Sequence, residues 1–78
     1  MELKELVEIM AKALVDEPDT VEISEVDGDR STVIEVRVAK SCLGSIIGKR
    51  GRNIQSIRTI VNAAAAKQNK RVMIDVIE

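Results

Sequence analysis

The sequence predicts a small α+β domain of order αββααβ, with three helices packed on one face of a mixed three-stranded sheet. Three observations predict it: apolar residues recur with helical spacing in three stretches, they alternate with polar residues in three others, and an Asp-Gly turn separates two of the alternating stretches. A length of 78 residues suits one domain. We therefore assign residues 1–78 to a single domain.

The first helix and a hairpin are predicted in the N-terminal half. Apolar side chains within residues 2–15 fall on one arc of about 160° at 100° per residue, so this helix buries one face. Strands are predicted over residues 20–26 and 31–38 from alternating apolar and polar residues. Asp27-Gly28 between them favours a positive φ at the glycine and a tight reversal. These two strands should therefore be antiparallel.

Two helices and a strand are predicted in the C-terminal half. A short helix over residues 40–47, with Ser41 as its N-cap, ends before Gly48 and Gly51. A longer amphipathic helix follows over about residues 52–67, and an alternating stretch over residues 71–77 predicts the last strand. Because two helices give enough chain for a crossover, the last strand should lie parallel to its neighbour. The helices then share one face of the sheet.

Charge is divided unevenly along the chain, although the net charge is −1. Residues 1–39 hold eleven acidic and four basic side chains, whereas residues 40–71 hold eight basic side chains and no acidic one. The basic stretch is a candidate footprint for a polyanion. A solvated helix face balanced by the acidic half explains the charges equally well at this point. The absence of aromatic residues excludes the base-stacking platforms of RRM and cold-shock proteins.

Catalytic, metal-binding and membrane-spanning roles are not supported by the composition. With no histidine and one cysteine, the usual zinc ligands are missing, and residues 40–71 offer no carboxylate as a general base. Gly44 and Gly48 lack the P-loop spacing. We therefore expect no enzyme activity, no metal and no cofactor. No apolar run approaches the roughly 18 residues of a membrane span, and the unpaired Cys42 favours the reducing cytoplasm.

The candidate site surrounds Gly48-Lys49-Arg50-Gly51. Two glycines permit a sharp reversal and let a phosphodiester approach the main chain, while the start of the following helix directs N–H groups and its positive dipole end to the same place. Neighbouring isoleucines either form an apolar floor for a base or belong to the core. The combination suits a few unstacked nucleotides. The predicted contact residues are Lys40, Ile46, Ile47, Gly48, Lys49, Arg50, Gly51, Arg52, Ile54 and Arg58, of which Arg58 is equally consistent with a solvated helix residue.

The element order and this loop resemble the K-homology (KH) domain in its type II arrangement, and within it the small bacterial KhpA (YlqC) family. The likeness covers the whole chain and rests on the segment from Leu43 to Arg58, with residues 58–65 similar to the family's third helix. It implies a protein whose loop clamps about four nucleotides of single-stranded RNA. Val36 and Val38 become weaker candidates for the same groove. Ser45 departs from the family, which often carries Lys or Arg there.

The resemblance also implies partners. KhpA-like proteins self-associate and pair with a larger KH-containing protein of the KhpB/Jag type, so we expect a homodimer and such a partner, and a role as post-transcriptional regulator or RNA chaperone. The alternative is a protein-interaction or dimerisation module in which RNA binding is secondary. Met73 with Ile77, or Ile60 with the alanine run at 63–66, would then provide the contact surface.

Overall fold

The computed structural model describes residues 1–29 and 31–78 and confirms the predicted element order. The helices are α1 (Leu3–Leu14), α2 (Lys40–Ile47) and α3 (Arg52–Lys67), and the strands are β1 (Glu22–Asp27), β2 (Ser31–Arg37) and β3 (Arg71–Ile77). Short 3₁₀ turns lie at Pro18–Thr20 and Lys49–Gly51. The bounds of α2, α3 and β3 agree with the prediction, and those of the other elements differ by one or two residues at an end.

The three strands form one mixed sheet in the order β1-β2-β3. Strand β1 runs antiparallel to β2, with Ile23 opposite Val36. Strand β3 runs parallel to β2, with Ile74 opposite Ile34. The predicted topology is therefore confirmed, and β3 is an edge strand that follows directly from α3.

The turn between β1 and β2 differs from the prediction. Asp27 pairs with Thr32, and a hydrogen bond between Gly28 and Ser31 continues this pairing by one step, so Gly28 lies at the end of the strand and not at a central position of the turn. Gly28 accordingly does not adopt a positive φ. Its N–H donates to the carbonyl oxygen of Ser31 at 2.7 Å. The predicted positive φ at Gly28 is thus wrong, whereas the predicted antiparallel pairing is confirmed.

The core lies between the inner face of the sheet and the three helices. Alternate residues of β2 and β3 point inward, and Ile34 and Ile74 are 0% and 3% exposed. Each helix adds buried apolar residues, such as Val7, Ile46 and Val61. All three helices therefore pack on one face, as predicted, and the other face of the sheet stays uncovered. Within the described residues no helix is both long and apolar enough to cross a membrane.

The starts of α2 and α3 lack side-chain caps. Ala39, not Ser41, is the N-cap of α2 and makes no side-chain hydrogen bond. The predicted cap is wrong because α2 begins at Lys40, which makes Ser41 the second residue of the helix. Gly51 is the N-cap of α3, also without a side-chain hydrogen bond. Because no capping side chain covers the first turn of α3, that turn remains accessible from the loop that precedes it.

Candidate nucleic-acid interface

The chain reverses between α2 and α3 through three residues with positive φ. Helix α2 ends where the Gly48 N–H donates to the Gly44 carbonyl oxygen at 2.8 Å. Gly48 has φ 77° and ψ 171°, Arg50 has φ 59° and ψ 26°, and Gly51 has φ 74° and ψ 15°. The values at Gly48 lie in a region that is essentially restricted to glycine, and Arg50 sits in the left-handed helical region. The loop is therefore a strained reversal that the surrounding structure must hold.

The two glycines are required for different reasons. A Cβ on Gly48 would lie 2.6 Å from Cγ and 2.8 Å from the main-chain nitrogen of Asn53, so only glycine fits against the start of α3. A Cβ on Gly51 would meet only the Ile54 Cγ2 atom, at 4.0 Å, so its requirement comes from the dihedral angles. Gly48 therefore allows a close approach within the protein, and Gly51 allows the turn into the helix.

Free main-chain donors lie between these glycines. The Gly51 N–H donates to the Gly48 carbonyl at 3.1 Å, and the Arg52 N–H donates to the Lys49 carbonyl. The N–H groups of Lys49 and Arg50, by contrast, donate to no main-chain or side-chain acceptor in the described part of the chain. Both residues are exposed. The loop thus presents two unsatisfied N–H donors beside two cations, which is an arrangement that binds an anion.

Positive charge at the loop is not neutralised by the protein. Within residues 1–29 and 31–78 the ion pair joins Lys12 to Glu8 on α1, at 3.3 Å, and none involves Lys49, Arg50 or Arg52. Arg52 is the exposed first residue of α3. The positive end of a 16-residue helix adds to these charges within its first turn. The loop and the start of α3 together form a compact cationic surface.

The predicted apolar floor is largely core. Ile46 is 0% exposed and Ile54 is 5% exposed, so neither side chain is accessible to a ligand, and only Ile47 is partly exposed beside the loop. Val36 and Val38 are 2% and 3% exposed, the first within the central strand and the second just after it. In this structure these four side chains belong to the core, and the groove roles predicted for them stay predictions that no exposed surface supports. The helical spacing places Ile46 and Ile54 on the core faces of α2 and α3, the two helices that flank the loop.

Two predicted cations lie apart from the loop. Lys40 is the first residue of α2, and the remaining length of that helix puts about 12 Å of axial rise between it and Gly48. Arg58 lies in the middle of α3, where its Nη2 donates to the Ile74 carbonyl oxygen at 3.2 Å. Arg58 is partly buried, and Lys40 is exposed. The structure therefore brings Lys49, Arg50 and Arg52 together, attaches Arg58 to the edge of β3, and leaves Lys40 at the far end of α2.

Sequence reasoning missed Asn53. Its Nδ2 donates to the Ser45 carbonyl oxygen at 2.7 Å and so connects the first turn of α3 to the last turn of α2. An asparagine two residues after a glycine could have drawn attention, because its amide readily bonds to nearby main chain. The partner, eight residues earlier, depends on the reversal and could not be found from spacing alone.

A separate apolar surface lies between α1 and α3. Ile60 is 50% exposed there, and a shallow groove of about 230 Å³ is lined by side chains of both helices, among them Met10, Leu14 and Ile57. On the uncovered face of the sheet Met73 is 57% exposed. Of the residues predicted for a protein contact, Ile60 and Met73 are thus exposed, and Ile77 is partly buried.

A mixed sheet with a parallel β2–β3 pair, three helices on one face and a Gly-x-x-Gly loop between α2 and α3 defines a KH domain of the type II arrangement. The family model described as "KhpA/KhpB, KH domain" matches residues 4–76. The chain belongs to this family.

Curated relatives are similar along nearly their whole length. The chain is 53% identical over 73 residues to the "RNA-binding protein KhpA" of Caldanaerobacter subterraneus subsp. tengcongensis, which covers 94% of this chain and 97% of the relative. It is 49% identical over 75 residues to the protein of the same name from Clostridium acetobutylicum, and this alignment covers 96% of this chain and 100% of the relative.

Among solved structures, part of Era has the same fold. The Aquifex aeolicus Era variant bound to GDP and aluminium fluoride aligns with a TM-score of 0.65 and 22% identity over 96% of this chain. Era in complex with MgGDPNP and nucleotides 1506–1542 of 16S ribosomal RNA aligns with a TM-score of 0.66. The alignment spans 29% of the Era chain in each case. At this identity the likeness shows the fold.

Proposed function

We propose that this protein binds single-stranded RNA by gripping its sugar-phosphate backbone with the Gly48–Gly51 loop and the start of α3. The observation that carries the proposal is the pair of free N–H groups at Lys49 and Arg50, set between two glycines and beside exposed cations. The curated relatives named as RNA-binding proteins support the same substrate class.

Single-stranded RNA suits the site better than a duplex. The cationic surface spans one reversal and one helix turn, which matches a short stretch of backbone rather than the two grooves that duplex readers contact. With no aromatic residue for stacking, affinity must come mainly from phosphate contacts. A net charge of −1 and Ser45 beside the loop keep that affinity low for one copy.

The test is fluorescence anisotropy with a labelled single-stranded RNA of about twelve nucleotides, three times the roughly four that a KH loop clamps. We expect saturable binding whose log–log salt slope is about −2 to −3, from three or four phosphate contacts at about 0.7 each. Replacing Lys49 and Arg50 together by Asp should abolish measurable binding, because two attractive charges become repulsive beside the free N–H groups.

The matched control is the Lys67→Asp/Lys70→Asp double variant. It carries the same change in net charge at the opposite end of α3, where both lysines are exposed. If the loop holds the RNA, this control binds much more tightly than the loop variant. Equal losses in two folded variants would mean that only net charge matters, and the proposed site would be wrong.

We further propose that the protein acts as a homodimer, with Ile60 and the groove between α1 and α3 covered by a second copy. A half-exposed isoleucine beside an apolar groove, in a domain with a thin core, favours self-association. Two weak RNA sites in one dimer also gain avidity. Sedimentation equilibrium at about 100 μM, a concentration that detects ordinary interface affinities, should show a dimer. Ile60→Asp should give a monomer, and Met73→Asp on the uncovered sheet face should not; a monomeric wild type would overturn the proposal.

A larger KH-containing partner of the KhpB/Jag type is proposed on the family description, which names KhpA and KhpB together. In this proposal the protein works in the cytoplasm as a post-transcriptional regulator or RNA chaperone. Cross-linking of bound RNA in cells would identify the targets. If the loop variant loses cross-linking to these RNAs and the Lys67→Asp/Lys70→Asp control keeps it, the targets are bound through this site.

A further inference from the structure

Asn53 makes two contacts that meet at the loop. Its Nδ2 donates to the Ser45 carbonyl oxygen at 2.7 Å, across the reversal. Its Cγ and Cβ lie 2.6 Å and 2.8 Å from the position that a Cβ on Gly48 would occupy, so the Asn53 side chain packs directly on the Gly48 main chain. One side chain therefore touches the end of α2, the first loop residue and the start of α3.

The hydrogen bond completes the end of α2. The last carbonyl groups of a helix have no partner within the helix. The Gly44 carbonyl accepts from the Gly48 N–H at 2.8 Å, and the next carbonyl, that of Ser45, accepts from Asn53. Within the described residues no other side chain forms a hydrogen bond between α2 and α3. The hydrogen bond from the Asn53 amide thus links the end of α2 to the start of α3.

The loop needs such a restraint. Gly48, Arg50 and Gly51 all have positive φ, and conformations of this kind persist when surrounding contacts hold them. Main-chain hydrogen bonds join Gly48 to α2, close the turn from Gly51 to Gly48 at 3.1 Å, and join Lys49 to the first residue of α3, but none of them attaches one helix directly to the other. Asn53 supplies that attachment at Gly48, the first loop residue with positive φ.

We propose that Asn53 is a positioning residue for RNA binding: its amide fixes Gly48 between the helices and thereby orients the free N–H groups of Lys49 and Arg50 toward the RNA backbone. The proposal rests on the proposed function of the loop. Asn53 itself contacts no nucleotide. Its effect on RNA passes through the shape of the loop.

The test compares Asn53→Ala with Asn62→Ala. Both remove an asparagine amide from α3 that donates to a main-chain carbonyl, but Asn62 bonds within the helix, to the Arg58 carbonyl at 2.8 Å. We expect Asn53→Ala to weaken binding of the labelled single-stranded RNA about tenfold and to make the log–log salt slope shallower by about 0.7 for each phosphate that the displaced loop no longer binds. Asn62→Ala should change neither quantity appreciably.

A second measurement is independent of RNA. In ¹H–¹⁵N spectra of the free proteins, Asn53→Ala should shift the amide resonances of Gly48, Lys49 and Arg50, whereas Asn62→Ala should leave them unchanged. Unchanged loop resonances in Asn53→Ala would overturn the positioning role. The salt slope separates positioning from mere stability, because partial unfolding reduces the active fraction without changing the slope of the folded molecules.

The outcomes for the two proposals are distinguishable. A wild type that does not bind RNA, while its loop resonances still respond to Asn53→Ala, removes the proposed function and with it the role of Asn53 in RNA binding. A wild type that binds RNA, with Asn53→Ala binding as tightly as Asn62→Ala, overturns only the positioning role. An affinity loss in Asn53→Ala that matches its unfolded fraction, with an unchanged salt slope, also overturns it.

Discussion

The Arg58 guanidinium donates from Nη2 to the carbonyl oxygen of Ile74 at 3.2 Å, which attaches the middle of α3 to the outer edge of β3. Strand β3 pairs with β2 on its other side, where the Ile77 carbonyl accepts from the Val38 N–H at 3.0 Å. Because carbonyl groups alternate in direction along a strand, that of Ile74 faces away from β2. Arg58 therefore satisfies an edge carbonyl that no other strand reaches.

Replacing Arg58 by Met tests this contact. Methionine retains an unbranched apolar stem but leaves the Ile74 carbonyl without its partner, so we expect the free energy of unfolding to fall by about 1 kcal/mol in urea titrations. In the wild type, four of the five guanidinium donors remain for RNA. If Arg58 also contacts RNA, the salt slope of the Arg58→Met variant becomes shallower by about 0.7. An unchanged slope would remove Arg58 from the interface and leave it a structural residue. Lys67→Met, on an exposed residue, is the control.

The two loop glycines should respond differently to asparagine. Gly51→Asn should lower the free energy of unfolding by less than about 1 kcal/mol, because asparagine tolerates the left-handed region and the nearest atom to a new Cβ is 4.0 Å away. Gly48→Asn should lower it by about 2–3 kcal/mol, because ψ of 171° is unfavourable and the Cβ would collide with Asn53. Urea denaturation of both variants checks this. Equal losses would contradict the close packing at Gly48.

Gly44 is a site where a substitution should stabilise the protein. It lies inside α2, and a Cβ there would meet no atom within 4 Å. We expect Gly44→Ala to add about 0.5–1 kcal/mol, since alanine restricts the unfolded chain and favours the helix. The melting temperature should rise by about 3–6 °C for a domain of this size. Gly28→Ala is the matched control, because its Cβ would lie 3.1 Å from the Ser31 carbonyl oxygen. A gain at Gly28 as large as that at Gly44 would contradict the expected difference.

Alanine variants of Ile46 and Ile47 should differ in their effects on the free energy of unfolding and on RNA affinity. Ile46 is fully buried, so Ile46→Ala should lower the free energy of unfolding by about 3 kcal/mol, because less apolar surface is buried and a cavity remains. Ile47 is only partly buried, and Ile47→Ala should be less destabilising while weakening RNA binding, since it is the one isoleucine of the predicted floor with accessible surface. Urea titration and anisotropy on both variants test the pair. Normal RNA affinity in folded Ile47→Ala would exclude an apolar contact there.

The element order and the mixed sheet could be predicted from the sequence because each depends on local patterns. Helical and alternating spacing located the three helices and three strands to within two residues at their ends. The glycines at 48 and 51 located the reversal between α2 and α3. Turn details were less predictable: Gly28 lies opposite Ser31 at the end of the strand and does not adopt a positive φ, which depends on the register of the two strands and not on the Asp-Gly pair alone.

For the candidate site, the sequence by itself determined the kind of residues: glycines, cations and a helix start, adjacent along the chain. Only the tertiary structure decided which of the ten predicted residues share a surface. It buried Ile46 and Ile54, attached Arg58 to Ile74, left Lys40 at the other end of α2, and added Asn53. The physical reason is that spacing fixes the face of a helix on which a residue lies. What that face meets, whether core, strand edge or solvent, depends on packing between elements far apart in the chain.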